Sequence, residues 1–293
     1  MRKPQKLYAD SAGFAFYWSV EMSYYTLKSG EKLYYEDTGS GSDTVIMLHG
    51  WTSSHFIYSE PASVLQDKAR CIIYDHRGHG KSKSANKSEA SMETLAKDLH
   101  ELICGLELNN VTLVGWSMGA GTILNYVRIF GCERLKQIVL CDMTPKQIND
   151  DDWKLGLYKG EYTQQDREND EKMSSFSQYR KFILATAPSL SKLPRFIVGR
   201  QLLSRLMKCD IAVIRKLAES MKDQDSRDVV GEITVPFTYF YPDPGSIFSP
   251  KLEKWYRDNI KTEYRSVKFP DSTHLLIAEH PKMFANELAK LLG

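Results

Sequence analysis

The sequence predicts an α/β protein whose mostly parallel, eight-stranded sheet is covered by helices on both faces. Short apolar runs recur along the chain, as is typical of strands buried on both sides. Amphipathic helical patterns lie between several of these runs, and this alternation favours parallel strands joined by helices. The stretch 144–230 interrupts the alternation, because it contains helical patterns and no convincing strand. It predicts a helical layer inserted after the sixth strand.

The predicted strands differ in how their apolar residues are arranged. In the first two strands, apolar and polar residues alternate on either side of Gly30, which indicates an antiparallel hairpin. The third, "TVIMLHG", is a continuous apolar run that ends in glycine, as a buried parallel strand would. The eight predicted strands cover 24–29, 32–38, 44–50, 70–75, 111–116, 136–142, 236–241 and 263–269.

Helices are predicted where apolar residues recur every three or four positions. Residues 91–107 carry such a stripe, and Ser91 is placed to cap the first turn. Two further helices are predicted at 118–130 and 281–292, the second opening at Pro281. The stripe of the first helix consists of Leu95, Leu99, Leu102, Ile103 and Leu106.

These patterns divide the chain into a core and two additions. The core comprises residues 22–143 and 231–293, and residues 144–230 form the predicted helical cap over the sheet edge. Residues 1–21 combine a basic start with a short apolar patch, and no cleavage motif of a signal peptide follows. We interpret them as an N-terminal extension or leader.

The cap is predicted to contain helices at 173–185, 194–208 and 210–222. A helical layer alone would bury little surface, so some of its aromatic side chains must face the underlying domain. We expect most of them to be core residues rather than ligand contacts. They are Trp153, Tyr158, Tyr162, Phe176, Tyr179, Phe182 and Phe196.

Composition excludes several classes of function. The net charge of +2, from 39 basic and 37 acidic residues, leaves no basic patch that would favour nucleic acid. The longest apolar runs are far shorter than the roughly 20 residues that span a bilayer. The expected partner is therefore a small-molecule substrate, with no nucleic acid and no membrane span.

The five cysteines are scattered and odd in number. They show neither CxxC nor CxxH spacing, so they indicate neither a metal site nor a disulfide framework. Most are expected to be small buried apolar residues. A reducing, cytoplasmic location is expected, and no metal or organic cofactor is implied.

The most specific motif is "GWSMG" at 115–119, a G-x-S-x-G sequence between a predicted strand and a predicted helix. A nucleophile on so sharp a turn needs glycine at both flanks, because a Cβ atom there would collide with backbone. The turn exposes the Ser117 hydroxyl near the positive end of the helix dipole. The alternative is that Ser117 only caps the helix, but the strand–turn–helix context favours a nucleophile.

A serine hydroxyl needs a base to take its proton. His274 follows the last predicted strand, and the carboxyl ends of parallel strands meet at one edge of a sheet. His274 and Ser117 are therefore expected to meet. His280 lies at a helix start, while His76 and His79 belong to a glycine-rich turn that lacks the spacing of a phosphate-binding loop.

The sequence "HGW" at 49–51 ends the third predicted strand at the same edge. A tetrahedral intermediate needs two backbone donors that face its oxyanion. The N–H groups of Trp51 and Met118 are the expected pair. The side chains of Trp51, Trp116 and Met118 are predicted to line the substrate pocket.

Four motifs together resemble one family. "LHGW", "DHRGHGKS", "VGWSMGAG" and "STHLLIAEHP", in this order, are similar to the α/β-hydrolase fold family over residues 24–293. The resemblance is to its cofactor-free, cap-bearing group, which includes bacterial esterases, non-haem haloperoxidases or perhydrolases, and C–C bond hydrolases. It implies Ser117 as nucleophile, His274 as base, and Trp51 and Met118 as oxyanion donors. Haloalkane dehalogenases and epoxide hydrolases of this family carry Asp at the position of Ser117.

The third catalytic residue has two candidates. The family's usual pattern places an acid after the seventh strand, but on that pattern Gly245 stands at its position. Asp243 lies two residues earlier, between two prolines in what resembles a tight turn. Asp142 ends the sixth predicted strand, 25 residues beyond Ser117, where some members of the family carry their acid. We prefer Asp142 and keep Asp243 as the second choice; Asp271 is too close to His274 along the chain.

The prediction from sequence is a serine hydrolase of the carboxylesterase type. It would cleave an ester, lactone or thioester of a small to medium apolar substrate through an acyl-enzyme. Two alternatives remain: a small-molecule receptor or signalling protein with slow or no turnover, and a perhydrolase or haloperoxidase-like activity.

Overall fold

A computed structural model describes residues 5–9, 15–39, 41–83, 86–170, 172, 175, 177–178 and 208–293. Its main feature is an eight-stranded sheet with the strand order β8-β7-β6-β5-β3-β4-β2-β1. The first two strands are antiparallel, β2 also runs antiparallel to β4, and the other pairs are parallel. The predicted mostly parallel sheet is therefore confirmed. The strands are β1 Glu21–Thr26, β2 Lys32–Asp37, β3 Asp43–Leu48, β4 Ala69–Tyr74, β5 Val111–Trp116, β6 Leu135–Cys141, β7 Phe237–Gly245 and β8 Tyr264–Thr273.

Helices lie between most of the strands along the chain. The helix that follows β5 begins at Met118 and ends at Phe130, as predicted, and Ser91 caps the helix before β5 by accepting a hydrogen bond from the Thr94 N–H. The helices are α1 Ser59–Leu65, α2 Met92–Gly105, α3 Met118–Phe130, α4 Leu157–Gly160, α5 Gln164–Asp170, α6 Ile211–Asp223, α7 Arg227–Val230, α8 Leu252–Asn259, α9 Leu276–Glu279 and α10 Pro281–Ala289. Short 3₁₀ turns occupy His55–Tyr58 and Lys87–Glu89.

Both faces of the sheet are apolar and covered. Successive residues of a strand point to opposite faces, so Ile46 and Leu48 of β3 join one buried cluster and Val45 and Met47 join the other. The first cluster packs against α2 and α3, and the second against α1 and α10. This double coverage explains why the central strands are continuous apolar runs.

The prediction of a tight turn after "YFY" was wrong. Strand β7 continues through its two prolines to Gly245 and pairs in parallel with β8, which likewise continues to Thr273. Strand β6 stops at Cys141, opposite Phe240, so the last residues of β7 pair on one side only. Proline lacks an N–H donor but is tolerated on such a local edge. The carboxyl end of β7 therefore reaches farther along the sheet than its sequence indicated.

The described part of the segment between β6 and β7 contains helices joined by turns and irregular stretches. Helices α4 to α7 lie there, and the described part holds only isolated β-bridges rather than strands. The predicted helix at 210–222 is confirmed as α6, capped by the Asp210 side chain. Trp153 and Tyr162 are buried in the first cluster, as expected, whereas Tyr158 is exposed. The predicted helices 173–185 and 194–208 lie largely outside the described residues, as do Phe176, Tyr179, Phe182 and Phe196.

The N-terminal region expected to be a leader contains a small antiparallel hairpin. Strand Gln5–Ala9 pairs with Ala15–Ser19. Val20 is fully buried in the second core cluster, and β1 begins at Glu21. The packed sheet thus starts slightly before the expected boundary at residue 22.

Most of the cysteines are buried, as expected. Cys104 is half-buried, and the other four are buried. Burial raises the pKa of the Cys71 and Cys209 thiols to about 12, so these two groups stay protonated and behave as small apolar side chains.

Candidate active site

Ser117 occupies the turn between β5 and α3 in a strained conformation, with φ 54° and ψ −117°. The two flanking glycines make this turn possible. A Cβ atom on Gly115 would lie 2.6 Å from the Ala120 nitrogen, and one on Gly119 would lie 2.1 Å from the Leu48 carbonyl oxygen. Such distances are far below contact, so glycine is required at both positions. Strain of this kind in a non-glycine residue is typical of functional sites.

The hydroxyl of Ser117 is not used to cap the helix. Ser117 is the N-cap residue of α3, but its side chain makes no capping hydrogen bond. Its backbone is fixed instead: its N–H donates to the Cys141 carbonyl (3.1 Å), and its own carbonyl accepts from the Gly121 N–H (3.0 Å). The Ser117 backbone is thus fixed at the amino end of α3, where four N–H groups lack helical partners.

His274 is paired with Asp142. The distance from His274 Nδ1 to Asp142 Oδ2 is 2.7 Å, and both residues are buried. An ionised carboxylate only accepts hydrogen bonds, so Nδ1 carries the proton and neutral His274 keeps a lone pair on Nε2. Asp142 follows β6 directly and has a positive φ of 40°. The structure thus brings together the predicted base and the preferred acid across 132 residues of sequence.

The other candidate acids lie elsewhere. Asp243 is exposed on β7, and its carboxylate lies 3.3 Å from Lys268 Nζ. Asp271 is exposed at a bulge of β8 with φ 51°. Neither carboxylate is a described hydrogen-bond partner of His274, so the geometry favours Asp142.

The position where the family resemblance placed the acid is closed. A Cβ atom on Gly245 would lie 2.4 Å from the Ser272 carbonyl oxygen and 2.8 Å from the Thr273 Cα. Strands β7 and β8 therefore approach too closely at this point for any side chain. Glycine is required at position 245 because of this contact, and not because a turn is missing there.

The backbone of His274 is anchored next to Ser117. The indole Nε1 of Trp116 donates to the His274 carbonyl oxygen (2.7 Å), and the Phe248 ring meets the imidazole edge to face with centroids 5.9 Å apart. The Glu279 carboxylate accepts from the Thr273 N–H at 2.6 Å. The Trp116 contact ties His274 to the residue that precedes Ser117.

Trp116 is buried in a different cluster from Trp51 and Met118. As the last residue of β5 it packs, with Val114, in the second core cluster, where 4% of its surface is exposed. Met118 and Trp51 pack in a third cluster with Val213 of α6. That these three side chains line the substrate pocket remains a prediction.

Trp51 connects the site to the segment between β6 and β7. Its indole Nε1 donates to the Ile214 carbonyl oxygen of α6 at 2.7 Å. A Cβ atom on Gly50 would lie 2.8 Å from the Trp116 ring and 3.2 Å from the Ser117 Cβ. The backbone of the 50–51 segment therefore lies directly against the nucleophile turn, as two oxyanion donors from Trp51 and Met118 would require.

A cluster of buried histidines behind this segment was not anticipated as a unit. His79 Nδ1 donates to the Arg77 carbonyl (3.0 Å), and its Nε2 accepts from the Thr52 N–H (3.2 Å). His49 Nδ1 likewise donates to the Gly50 carbonyl, and its Nε2 accepts from the His76 N–H at 3.1 Å. Each ring holds a neighbouring backbone group only in its neutral form.

Burial keeps these rings neutral. It lowers the pKa of His49 and His76 well below the ordinary value, with additional lowering from neighbouring histidines. Burial also lowers the pKa of His79 to about 4, although the Arg77 carbonyl and Asp75 oppose the shift. The neutral His49 and His79 rings thus hold the backbone around the loop that carries Trp51, and the His76 ring packs against His49.

The pKa of His55 is shifted in the opposite direction. It lies between Asp75 Oδ1 (2.8 Å from Nδ1) and Glu36 Oε1 (3.2 Å from Nε2), and both carboxylates are fully buried. Burial alone would lower the pKa of His55, but Asp75 and then Glu36 outweigh it and raise the pKa. The only hint in the sequence was the concentration of histidines directly after the ends of β3 and β4, at 49, 55, 76 and 79.

This geometry is that of the nucleophile elbow found in proteins of the α/β class. It combines two sterically required glycines, a strained serine between strand and helix, and a buried His–Asp pair at the same sheet edge. The chain belongs to the alpha/beta hydrolase fold family, whose sequence model matches residues 43–281.

Individual relatives agree with this assignment. A putative non-heme chloroperoxidase of Synechocystis sp. is 38% identical over 114 residues, which is 39% of this chain and 41% of that protein. The chain thus spans less than half the length of this relative. A pimeloyl-[acyl-carrier protein] methyl ester esterase of Pectobacterium carotovorum is 19% identical over 264 residues, 87% of this chain and 96% of that protein.

Solved structures show the same fold. An esterase from Exiguobacterium antarcticum superposes with a TM-score of 0.82 at 25% identity, over 92% of this chain and 99% of that one. A bromoperoxidase from Bacillus anthracis gives a TM-score of 0.80 at 24% identity, over 92% and 98% of the two chains.

The described residues show neither a membrane-spanning helix nor a metal-binding group. None of the helices there has the length and apolar character needed to cross a bilayer. The same part of the chain holds no group of three or more His, Cys, Asp or Glu side chains arranged to bind a metal ion.

Proposed function

We propose that this protein is a serine hydrolase that cleaves a carboxylic ester, lactone or thioester through an acyl-enzyme. The observation that carries the proposal is the buried His274–Asp142 pair, anchored through Trp116 to the strained Ser117 turn. This arrangement supplies a nucleophile, a base with a free lone pair and an orienting carboxylate, which are the elements of acyl transfer.

The chemistry follows from the protonation states. His274 Nε2 takes the Ser117 proton while Ser117 Oγ attacks the carbonyl carbon, whose π electrons move to oxygen. That oxyanion is stabilised by the N–H groups of Trp51 and Met118. The intermediate then collapses, the bond from the carbonyl carbon to the leaving group breaks, and the imidazolium, stabilised by Asp142, protonates the departing alkoxide or thiolate. Water, deprotonated by His274, attacks the acyl-enzyme. The second intermediate breaks its bond to Ser117 Oγ, which takes the proton back from His274 as the acid is released.

The surroundings support a substrate with an apolar part. Met118 and Trp51 pack with Leu95 of α2 and with Val213 and Leu217 of α6, forming an apolar layer beside the proposed oxyanion donors. Residues 144–230, which contain α6, would act as the cap. A small to medium acyl group is the proposed occupant of this side of the site.

Turnover of p-nitrophenyl acetate and butyrate tests the proposal. The wild-type chain is expected to release p-nitrophenol, with Ser117→Ala reducing the rate to the level of the buffer. Loss of an orienting carboxylate is expected to lower kcat by about 10⁴, so Asp142→Asn should be nearly inactive. Asp243→Asn, the matched control on β7, should remain near wild type. Absence of any Ser117-dependent turnover would instead support a receptor of this fold.

A second activity is favoured by the names of the relatives. Several are named non-heme chloroperoxidases or haloperoxidases, at 33–38% identity over part of the chain. We propose that the same acyl-enzyme can react with hydrogen peroxide in place of water and release a peracid. Bromination of a reporter dye in acetate buffer with peroxide, lost in Ser117→Ala, is the expected result.

A further inference from the structure

The carboxylate of Asp142 has a second partner besides His274. The Ser246 hydroxyl lies 2.6 Å from Asp142 Oδ1, while His274 Nδ1 lies 2.7 Å from Oδ2. Ser246 follows Gly245 directly, so it comes from the segment where the family resemblance had placed the acid itself. The contact joins residues 104 positions apart.

The direction of this hydrogen bond is fixed by its neighbours. The Phe248 N–H donates to Ser246 Oγ at 3.0 Å, which occupies the hydroxyl oxygen as an acceptor. The ionised carboxylate has no proton to give, so the single hydroxyl proton points to Asp142. A hydrogen bond to an ionised acceptor in a buried site is among the stronger ones in proteins.

The two hydrogen bonds together determine the orientation of the carboxylate. Asp142 is fully buried, and no Lys or Arg of the described residues pairs with it. Without Ser246, the carboxylate would keep one partner, and its plane could turn about the bond to Cβ. Phe248 would also lose the hydroxyl that fixes its backbone, and its ring contacts His274.

We infer that Ser246 is a positioning residue that holds the Asp142 carboxylate against His274, and this inference rests on the proposed hydrolase function. Position 245 has no space for a side chain, and the next residue supplies a hydroxyl that supports an acid carried by another strand. The carboxyl end of β7 therefore supplies a hydrogen bond to the acid, although it does not supply the acid itself.

Steady-state kinetics with p-nitrophenyl butyrate test the inference. Ser246→Ala is expected to lower kcat about tenfold, equivalent to about 1.4 kcal/mol of activation free energy, with KM changed less than about twofold. Ser246→Thr keeps the hydroxyl and should restore most of kcat. Ser249→Ala, a buried serine of the same segment whose hydroxyl accepts from Lys251 N–H, is the matched control and should behave as wild type.

A double mutant separates positioning from a general effect on the fold. In the Asp142→Asn background, Ser246→Ala should cause no further loss of kcat, because the carboxylate on which it acts is gone. The same tenfold loss in both backgrounds, or wild-type kinetics of Ser246→Ala, would overturn the inference.

Proton NMR tests Ser246 independently of turnover. The His274 Nδ1 proton that is shared with Asp142 should give a low-field resonance, identified by its loss in His274→Gln. Ser246→Ala should shift or broaden this resonance and Ser249→Ala should not. An unchanged resonance in Ser246→Ala refutes the positioning role. Absent turnover with a shifted resonance refutes only the proposed hydrolase activity.

Discussion

The neutral His79 ring makes the stability of this protein sensitive to acid. Its Nε2 accepts the Thr52 N–H and its Nδ1 donates to the Arg77 carbonyl, so protonation of Nε2 would break the first of these bonds. Because the pKa of His79 is lowered in the folded state, its contribution to stability is complete above the unfolded pKa of about 6.5. It is lost as the pH falls towards the folded pKa of about 4.

The magnitude follows from the two pKa values. Between them the unfolded chain binds one more proton than the folded chain, and stability falls by about 1.4 kcal/mol per pH unit. With a folded pKa of about 4, linkage gives a loss of about 2–3 kcal/mol at a pH of about 4.5 relative to neutral pH. His49 and His76 act in the same direction, since burial lowers their pKa values too.

Urea unfolding of wild type and His79→Gln from about pH 7 to about pH 4.5 measures this contribution. The Gln side chain can accept the Thr52 N–H but does not titrate. The wild type should be the more stable of the two at neutral pH, and its advantage should shrink by about 2–3 kcal/mol across this range. His100→Gln, at a half-exposed position on α2, is the control and should change the pH dependence much less.

His55→Gln provides a second control, of opposite sign. The pKa of His55 is raised in the folded state, so its contribution is complete below about pH 6.5 and is lost as the pH rises through the folded value. A wild-type advantage over His79→Gln that stays constant between neutral pH and about pH 4.5 would refute a neutral, buried His79 in the folded protein.

Three further substitutions test the close packing around the site. Gly119→Ala is expected to lower the free energy of unfolding by about 1–3 kcal/mol or more, because its Cβ would lie 2.1 Å from the last carbonyl oxygen of β3. Gly245→Ala should destabilise by a similar amount through the contact with β8, and a wild-type urea midpoint for either glycine variant would contradict these distances. Trp116→Phe leaves the buried His274 carbonyl without its donor. It should lower stability by about 1–3 kcal/mol and reduce kcat on p-nitrophenyl butyrate, whereas full activity would show that the anchor is dispensable.

Features governed by local chemistry were predictable from the sequence. The Ser91 cap, the limits of α3 and the glycine-flanked turn at Ser117 depend on neighbouring residues, and the structure agrees with each. The positions of Asp142 and His274 at one sheet edge follow from the rule that parallel strands end together. These inferences needed no knowledge of distant contacts.

Features governed by contacts between distant segments were not predictable. The two prolines of β7 indicated a turn, but the strand continues because β6 ends early and leaves a one-sided edge. The histidine cluster forms where loops after two strands meet, and no periodic pattern marks such a meeting. Trp116 adjoins Ser117 along the chain, but the packing of its side chain with Val114 in the second core cluster could not be seen from the motif.

The close approach at Gly245 also restricts how this site can change by mutation. A chain can move its acid between the ends of β6 and β7 only by gaining the second carboxylate or losing the first. A side chain at 245 forces β7 and β8 apart, and loss of Asp142 leaves His274 without its partner. Any series of single substitutions therefore includes a variant that is either strained at position 245 or has no carboxylate beside His274. A change between the two positions of the acid is thus unfavourable, even though the histidine and the serine are the same in both.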